Sequence, residues 1–177
     1  DHQPTIIALI DLYDKTNQPM KRIPLMEKIA ELSQDAETWF AVGNLYNQLD
    51  NKEKAKESYL KALAIDPEFS GAIVNLSIIL YDEGNYSEAI PYLEKAFEEA
   101  PDNTFIAARL ATAYQKSGRT QEAIDKYENV LIKDPNNIQA YLNLISIYRS
   151  MGNNAKAIEK INALKKVAPD NPYAYLN

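Results

Sequence analysis

From Trp39 to Pro67 the chain reads WFAVGNLYNQLDNKEKAKESYLKALAIDP, and this stretch returns every 34 residues. Its Trp39, Val42, Gly43, Tyr46, Ala55, Tyr59, Ala62 and Pro67 become Ile73, Leu76, Ser77, Leu80, Ala89, Leu93, Ala96 and Pro101 after one shift. A second shift reaches Ala107, Leu110, Ala111, Tyr114, Ala123, Tyr127, Val130 and Pro135. A third reaches Tyr141, Leu144, Ile145, Tyr148, Ala157, Ile161, Leu164 and Pro169. Prolines in register with no insertion between them mark a repeat architecture. Each unit of such a chain buries its apolar side only against its neighbours, so function belongs on a surface rather than in an enclosed pocket.

Within each period the apolar residues follow a helical spacing twice, predicting a helix A and a helix B of similar length. The turns between them carry Asp50-Asn51, Gly84-Asn85, Gly118-Arg119 and Gly152-Asn153. Gly and Asn tolerate the left-handed backbone that ends a helix. Units close at Asp66-Pro67, Ala100-Pro101, Asp134-Pro135 and Ala168-Pro169, where proline removes a donor and stops helix B. Gly43, Ser77 and Ala111 leave room for close approach of A and B, and the ring residues Trp39, Tyr46, Tyr59, Tyr114, Tyr127, Tyr141 and Tyr148 fill the seams. One residue breaks the local rule. Pro91 falls in the second turn of a B helix, predicting a mild kink or a late helix start.

Residues 1–35 stand outside the period. Ile6, Ile7, Leu9, Ile10, Leu12 and Tyr13 follow a helical pattern, Asn17-Gln18-Pro19 breaks it, and a second helix covers Leu25 to Leu32. This reads as a degenerate, capping helix pair, which covers an apolar face that the open end of a stack would otherwise expose.

Composition narrows the chemistry. The formal charge of −6 argues against sequence-independent nucleic-acid binding, which depends on basic surface. The apolar stretch near Ile73 to Leu80 is interrupted by Asn75 and Ser77, and no run approaches the roughly 18 residues of a membrane span. Cysteine is absent, so there are no disulfides, thiolate metal sites or cysteine nucleophiles. The lone histidine, His2, lies beside the terminus, which removes histidine triads and paired histidine ligands from the repeats. Glu53, Glu57, Glu94, Glu98 and Glu99 fall on B helices and read as solvated surface. Asparagine is abundant at sixteen residues, a background that an AT-rich genome also produces. Asn75-Leu76-Ser77 and Asn85-Tyr86-Ser87 match the glycosylation acceptor pattern and read as accidental. The chain opens on Asp1 rather than Met, which reads as a processed or excised piece. The compartment stays open: cytoplasmic is favoured, exported if a signal segment was removed.

The pattern of small and aromatic residues, the period and the terminal proline resemble the tetratricopeptide repeat. The resemblance covers 36–171 as four units, 36–69, 70–103, 104–137 and 138–171, with 172–177 as the start of a truncated fifth. It implies an all-α, right-handed superhelical solenoid of antiparallel helix pairs, with the A helices lining a concave groove. It also implies that Phe40, Asn44, Asn75, Phe105, Arg109, Lys116, Leu142, Asn143 and Arg149 face that groove.

Asn44, Asn75, Arg109 and Asn143 lie along one line of those slots. An asparagine amide both donates and accepts, so a row of them holds an extended backbone with little regard to its side chains. Peptide-binding members of the family use such ladders. The chaperone-tail clamp of some members carries Asn, Asn and Arg at the slots of Asn44, Asn75 and Arg109, but its two lysine slots hold Phe40 and Phe105 here. That leaves Arg109 alone to neutralise a terminal carboxylate.

The sequence therefore reads as a non-catalytic scaffold that needs no cofactor and binds a protein or an extended or helical peptide segment. Its partner would carry apolar anchors for Phe40, Phe105 and Leu142 and an acidic residue for Arg109, Lys116 and Arg149. Two other readings stand beside it. One is a targeting or regulatory domain of a larger enzyme or membrane-anchored protein. The other is a structural module that self-assembles through the repeat ends.

Overall fold

The computed structural model describes residues 3–175, so His2 and the last two residues of the fifth-repeat reading lie outside it. Among the described residues there are ten α-helices, one short 3-10 helix and no strand. They gather into two compact units, one ending at Glu83 and the other beginning at Gly84.

The first unit holds α1 (Gln3–Lys15), α2 (Pro19–Ser33), α3 (Ala36–Gln48), α4 (Lys52–Ile65) and α5 (Ser70–Asp82). Each packs on the helix before it. The second holds α6 (Tyr86–Glu99), α7 (Thr104–Lys116), α8 (Thr120–Lys133), α9 (Ile138–Ser150) and α10 (Asn154–Val167), stacked in the same neighbour-by-neighbour way. The 3-10 helix Pro172–Tyr175 packs on α10.

Polar caps start many of these helices. Asp35 accepts the Thr38 amide at 2.8 Å and the Thr38 hydroxyl at 2.5 Å, and Asn51, Asn103, Asn137 and Asn153 do the same work for α4, α7, α9 and α10. Four helices end on a left-handed residue, Asp50 (φ 58°), Gly84 (80°), Gly118 (79°) and Gly152 (69°). The expected late start at Pro91 does not occur. α6 begins at Tyr86, in step with Lys52 of α4 and Thr120 of α8, and Pro91 sits exposed inside it. An exposed proline forfeits one donor while its neighbours on the buried face, Ala89, Ile90 and Leu93, keep their packing.

The core follows the repeat. Val42, Ala55, Tyr59, Ala62, Leu76, Leu110, Ala123, Tyr127, Leu144 and Leu164 are closed to solvent or nearly so. Gly43 has no alternative, because a Cβ there would lie 2.5 Å from Tyr59 Cε1. A second seam pairs tyrosines with glutamates. The Tyr46 hydroxyl donates to Glu27 at 2.8 Å and Tyr114 to Glu94 at 2.6 Å, with Lys54 and Arg119 lying over the two rings at 5.1 and 4.3 Å. Glu94 is thus a half-buried partner rather than the solvated carboxylate its helix position suggests. Helical periodicity registers the face a residue occupies, not a hydroxyl arriving from the next helix.

Candidate functional site

In the first unit the A helices α3 and α5 are joined by side chains. Asn75 Nδ2 donates to Asn44 Oδ1 at 2.8 Å, and the Tyr59 hydroxyl, arriving from α4, donates to the same oxygen at 2.8 Å. Asn75 Nδ2 also reaches that hydroxyl at 3.3 Å. Both asparagines are half-buried, and the Tyr59 ring is fully buried. Burial raises the Tyr59 phenol above its ordinary value, which the donating Asn75 amide only partly offsets, so the hydroxyl keeps its proton.

This amide pair stands between two cavities. Asn44 lines one of about 390 Å³ together with Tyr13, Asn17, Arg22 and Gln48. Asn75 lines another of about 300 Å³ with Asn47, Lys52, Ile78 and Asp82. The first cavity brings in the helical pair α1–α2, which sequence reading treated only as a cap. Arg22 pairs with Asp14 there, and its Nε is buried without a hydrogen-bond partner. Phe40 is half-buried rather than open. Its ring lies 5.2 Å from Phe69 and 5.8 Å from Tyr59, and it fills the space over Gly71.

The second unit repeats part of this arrangement. Tyr127, nearly fully buried, lies 2.9 Å from Thr112 Oγ1 and donates to Gln115 at 3.2 Å. Asn143 Nδ2 donates to the Tyr127 hydroxyl at 2.8 Å, while Asn143 Oδ1 accepts from Gln139 at 3.0 Å. On α7 the Arg109 guanidinium stacks 3.7 Å from the centre of the Phe105 ring, which is 51% exposed. Lys116 and Arg149 are exposed and Leu142 is half-buried. Arg149 turns toward α10, lining a cavity of about 500 Å³ with Ile158, Asn162 and Lys165.

The structure thus brings Asn44 and Asn75 together in one unit, and Phe105 and Arg109 together in the other. Sequence reading missed the hydroxyls of Tyr59 and Tyr127, having assigned both rings to packing. A signal was available: each tyrosine is followed 16 residues later by an asparagine.

Models of the tetratricopeptide repeat match residues 36–69, 80–125 and 115–176. This chain belongs to the tetratricopeptide repeat family. Its fold is the family's all-α solenoid: YrrB, described as a TPR protein with an unusual peptide-binding site, superposes at a TM-score of 0.78 and 25% identity, covering 98% of this chain and 90% of that one. MamA AMB-1 superposes at 0.77 with 21% identity over 96% of this chain and 93% of its own, a likeness of fold. Among curated proteins, the protein O-mannosyl-transferase TMTC1 of Mus musculus is 29% identical over 105 residues, 56% of this chain. The chain spans only 11% of that relative's length. No helix among the described residues is long and apolar enough to cross a membrane.

Proposed function

We propose that this tetratricopeptide chain is a non-catalytic interaction scaffold that holds a peptide or protein segment on the faces of its A helices. Residues 36–69, 70–103, 104–137 and 138–171 serve as its four repeats, and 1–35 as a degenerate pair packed against the first. The observation that carries this reading is the Asn44–Asn75 amide pair set between two cavities. An extended segment that fills both must cross the pair, and amides answer the N–H and C=O groups that every peptide backbone offers. The described peptide-binding character of YrrB supports the same reading.

In the second unit Phe105 and Arg109 present an exposed ring with a cation stacked on it, and Lys116 and Arg149 add positive charge. These suit a segment with an apolar anchor and an acidic side chain. Asn143 supplies the second amide and Leu142 and Phe40 the apolar borders.

The test is a peptide selected by display on the wild-type chain and titrated against the double variant Asn75→Ala/Asn143→Ala. At about 1 kcal/mol per lost hydrogen bond, affinity falls by more than about 2 kcal/mol. Unchanged affinity in a folded double variant overturns the role of the amides.

One observation favours a second reading, that this is the repeat module of a larger enzyme or anchored protein: its match to TMTC1 occupies 11% of that protein. Sequencing the gene across both ends of the chain distinguishes the two.

A further inference from the structure

Two buried tyrosines repeat one geometry in separate units. Tyr59 stands 15 residues after Asn44 and 16 before Asn75, and its hydroxyl meets both, at 2.8 and 3.3 Å. Tyr127 stands 15 residues after Thr112 and 16 before Asn143, and its hydroxyl meets both, at 2.9 and 2.8 Å. The B helix α6 supplies an internal control. It carries Leu93 in the tyrosine slot, and the residue 16 further on is Arg109 instead of asparagine. Where no hydroxyl is available, no amide follows. Arg109 takes the ring of Phe105 as its support instead.

We infer that Tyr59 and Tyr127 are positioning residues that set the polarity of the binding face. Each hydroxyl takes an N–H of its asparagine, which turns the amide oxygen of Asn75 and Asn143 the other way, toward the ligand. The face then reads donors, the backbone N–H groups of an extended segment, in preference to carbonyls. Asn143 Oδ1 already accepts from the exposed Gln139, and an amide oxygen has a second lone pair for a ligand. Arg109, at the same slot in the intervening repeat, is a pure donor and reads acceptors. The predicted ligand is thus an extended backbone that meets acceptors at Asn75 and Asn143 and a cation at Arg109. This inference rests on the interaction reading above.

The experiment has two arms. In the ligand-free protein, labelled at asparagine nitrogen, side-chain amide exchange is followed by NMR in wild type, Tyr59→Phe and Tyr127→Phe. Phe keeps the ring and removes only the hydroxyl, so the Asn75 amide in the first variant and the Asn143 amide in the second exchange about tenfold faster. In the second arm, a display-selected peptide is synthesised with single backbone N-methyl groups. At one position the methyl weakens wild-type binding about tenfold, and the penalty shrinks to about twofold in the matching Tyr→Phe variant. Unaltered amide exchange, or an N-methyl penalty equal in both proteins, overturns the inference while leaving the interaction reading standing. If no displayed peptide binds the wild-type chain, the interaction reading falls and the ligand polarity with it. Should Tyr59→Phe not fold, Tyr127→Phe carries the same test in the other unit.

Discussion

The ring of Tyr59 occupies the space a side chain at Gly43 would need, with Cε1 and Cδ1 lying 2.5 and 2.6 Å from the position of an added Cβ. The ring cannot yield easily, because it is fully buried and its hydroxyl is tied to Asn44. Gly43→Ala is therefore expected to destabilise the chain by about 1–3 kcal/mol, the usual cost of overpacking. Urea unfolding checks this. A lowered midpoint with an unchanged slope is the expected result, and an unchanged midpoint contradicts it.

Capping makes the acid limb of stability depend on Asp35. Hydrogen bonds from the Thr38 hydroxyl and amide hold its carboxyl below the ordinary value of 3.8. A depressed folded-state value stabilises the fold at pH above 3.8 and loses that contribution as pH falls below it. Asp35→Ala is expected to cost about 1 kcal/mol at neutral pH. Thermal melts from pH 7 downward should show the variant and wild type converging in acid, and a constant gap would refute the assignment.

The tyrosine–glutamate seam sets the alkaline limb. Burial, then the hydrogen bond to Glu27, pushes the Tyr46 phenol from 10.0 up to about 12. Burial and Glu94 raise Tyr114 in the same direction. Raised values favour the folded state below pH 10.0, and the contribution of Tyr46 disappears as pH climbs from there to about 12. Tyr46→Phe should flatten the alkaline decline in melting temperature. A curve with the same slope as wild type would rule out this pair as a cause.

Phe105 offers a separation of binding from folding. Its ring is 51% exposed and supports Arg109 by stacking. Phe105→Ala is expected to change stability by no more than about 1 kcal/mol, the scale of an exposed cation–π contact. Affinity for a display-selected peptide should nevertheless fall about tenfold, as for an interface anchor. Isothermal titration beside a melt measures both, and equal affinity would remove Phe105 from the binding face.

Fold and site were legible in the sequence to different depths. Pro67, Ala55 and Gly43 recur because helix ends and close approaches tolerate few alternatives, so the period announces them directly. Asn44 and Asn75 could be placed on one line by slot, yet nothing in the spacing reveals that they bond each other. That contact depends on Tyr59, whose ring satisfies the packing frame so fully that its hydroxyl gives no separate signal. Phe40 was read as an open apolar edge, but Gly71 leaves a hollow that its ring enters. The neighbourhood of Arg22 was invisible for another reason: residues 1–35 lack the period that orders everything after them.

The Asn44–Tyr59–Asn75 cluster begins inside one repeat and is completed by the next. Folding counts in segments that close at proline, whereas ligand reading counts in segments that start and finish mid-helix, half a step out of phase. Cutting and rejoining repeats at their prolines would preserve a foldable protein yet separate each hydroxyl from the amide it orients. A transplanted specificity would have to be carried from one A helix through to the next, with the proline in its middle.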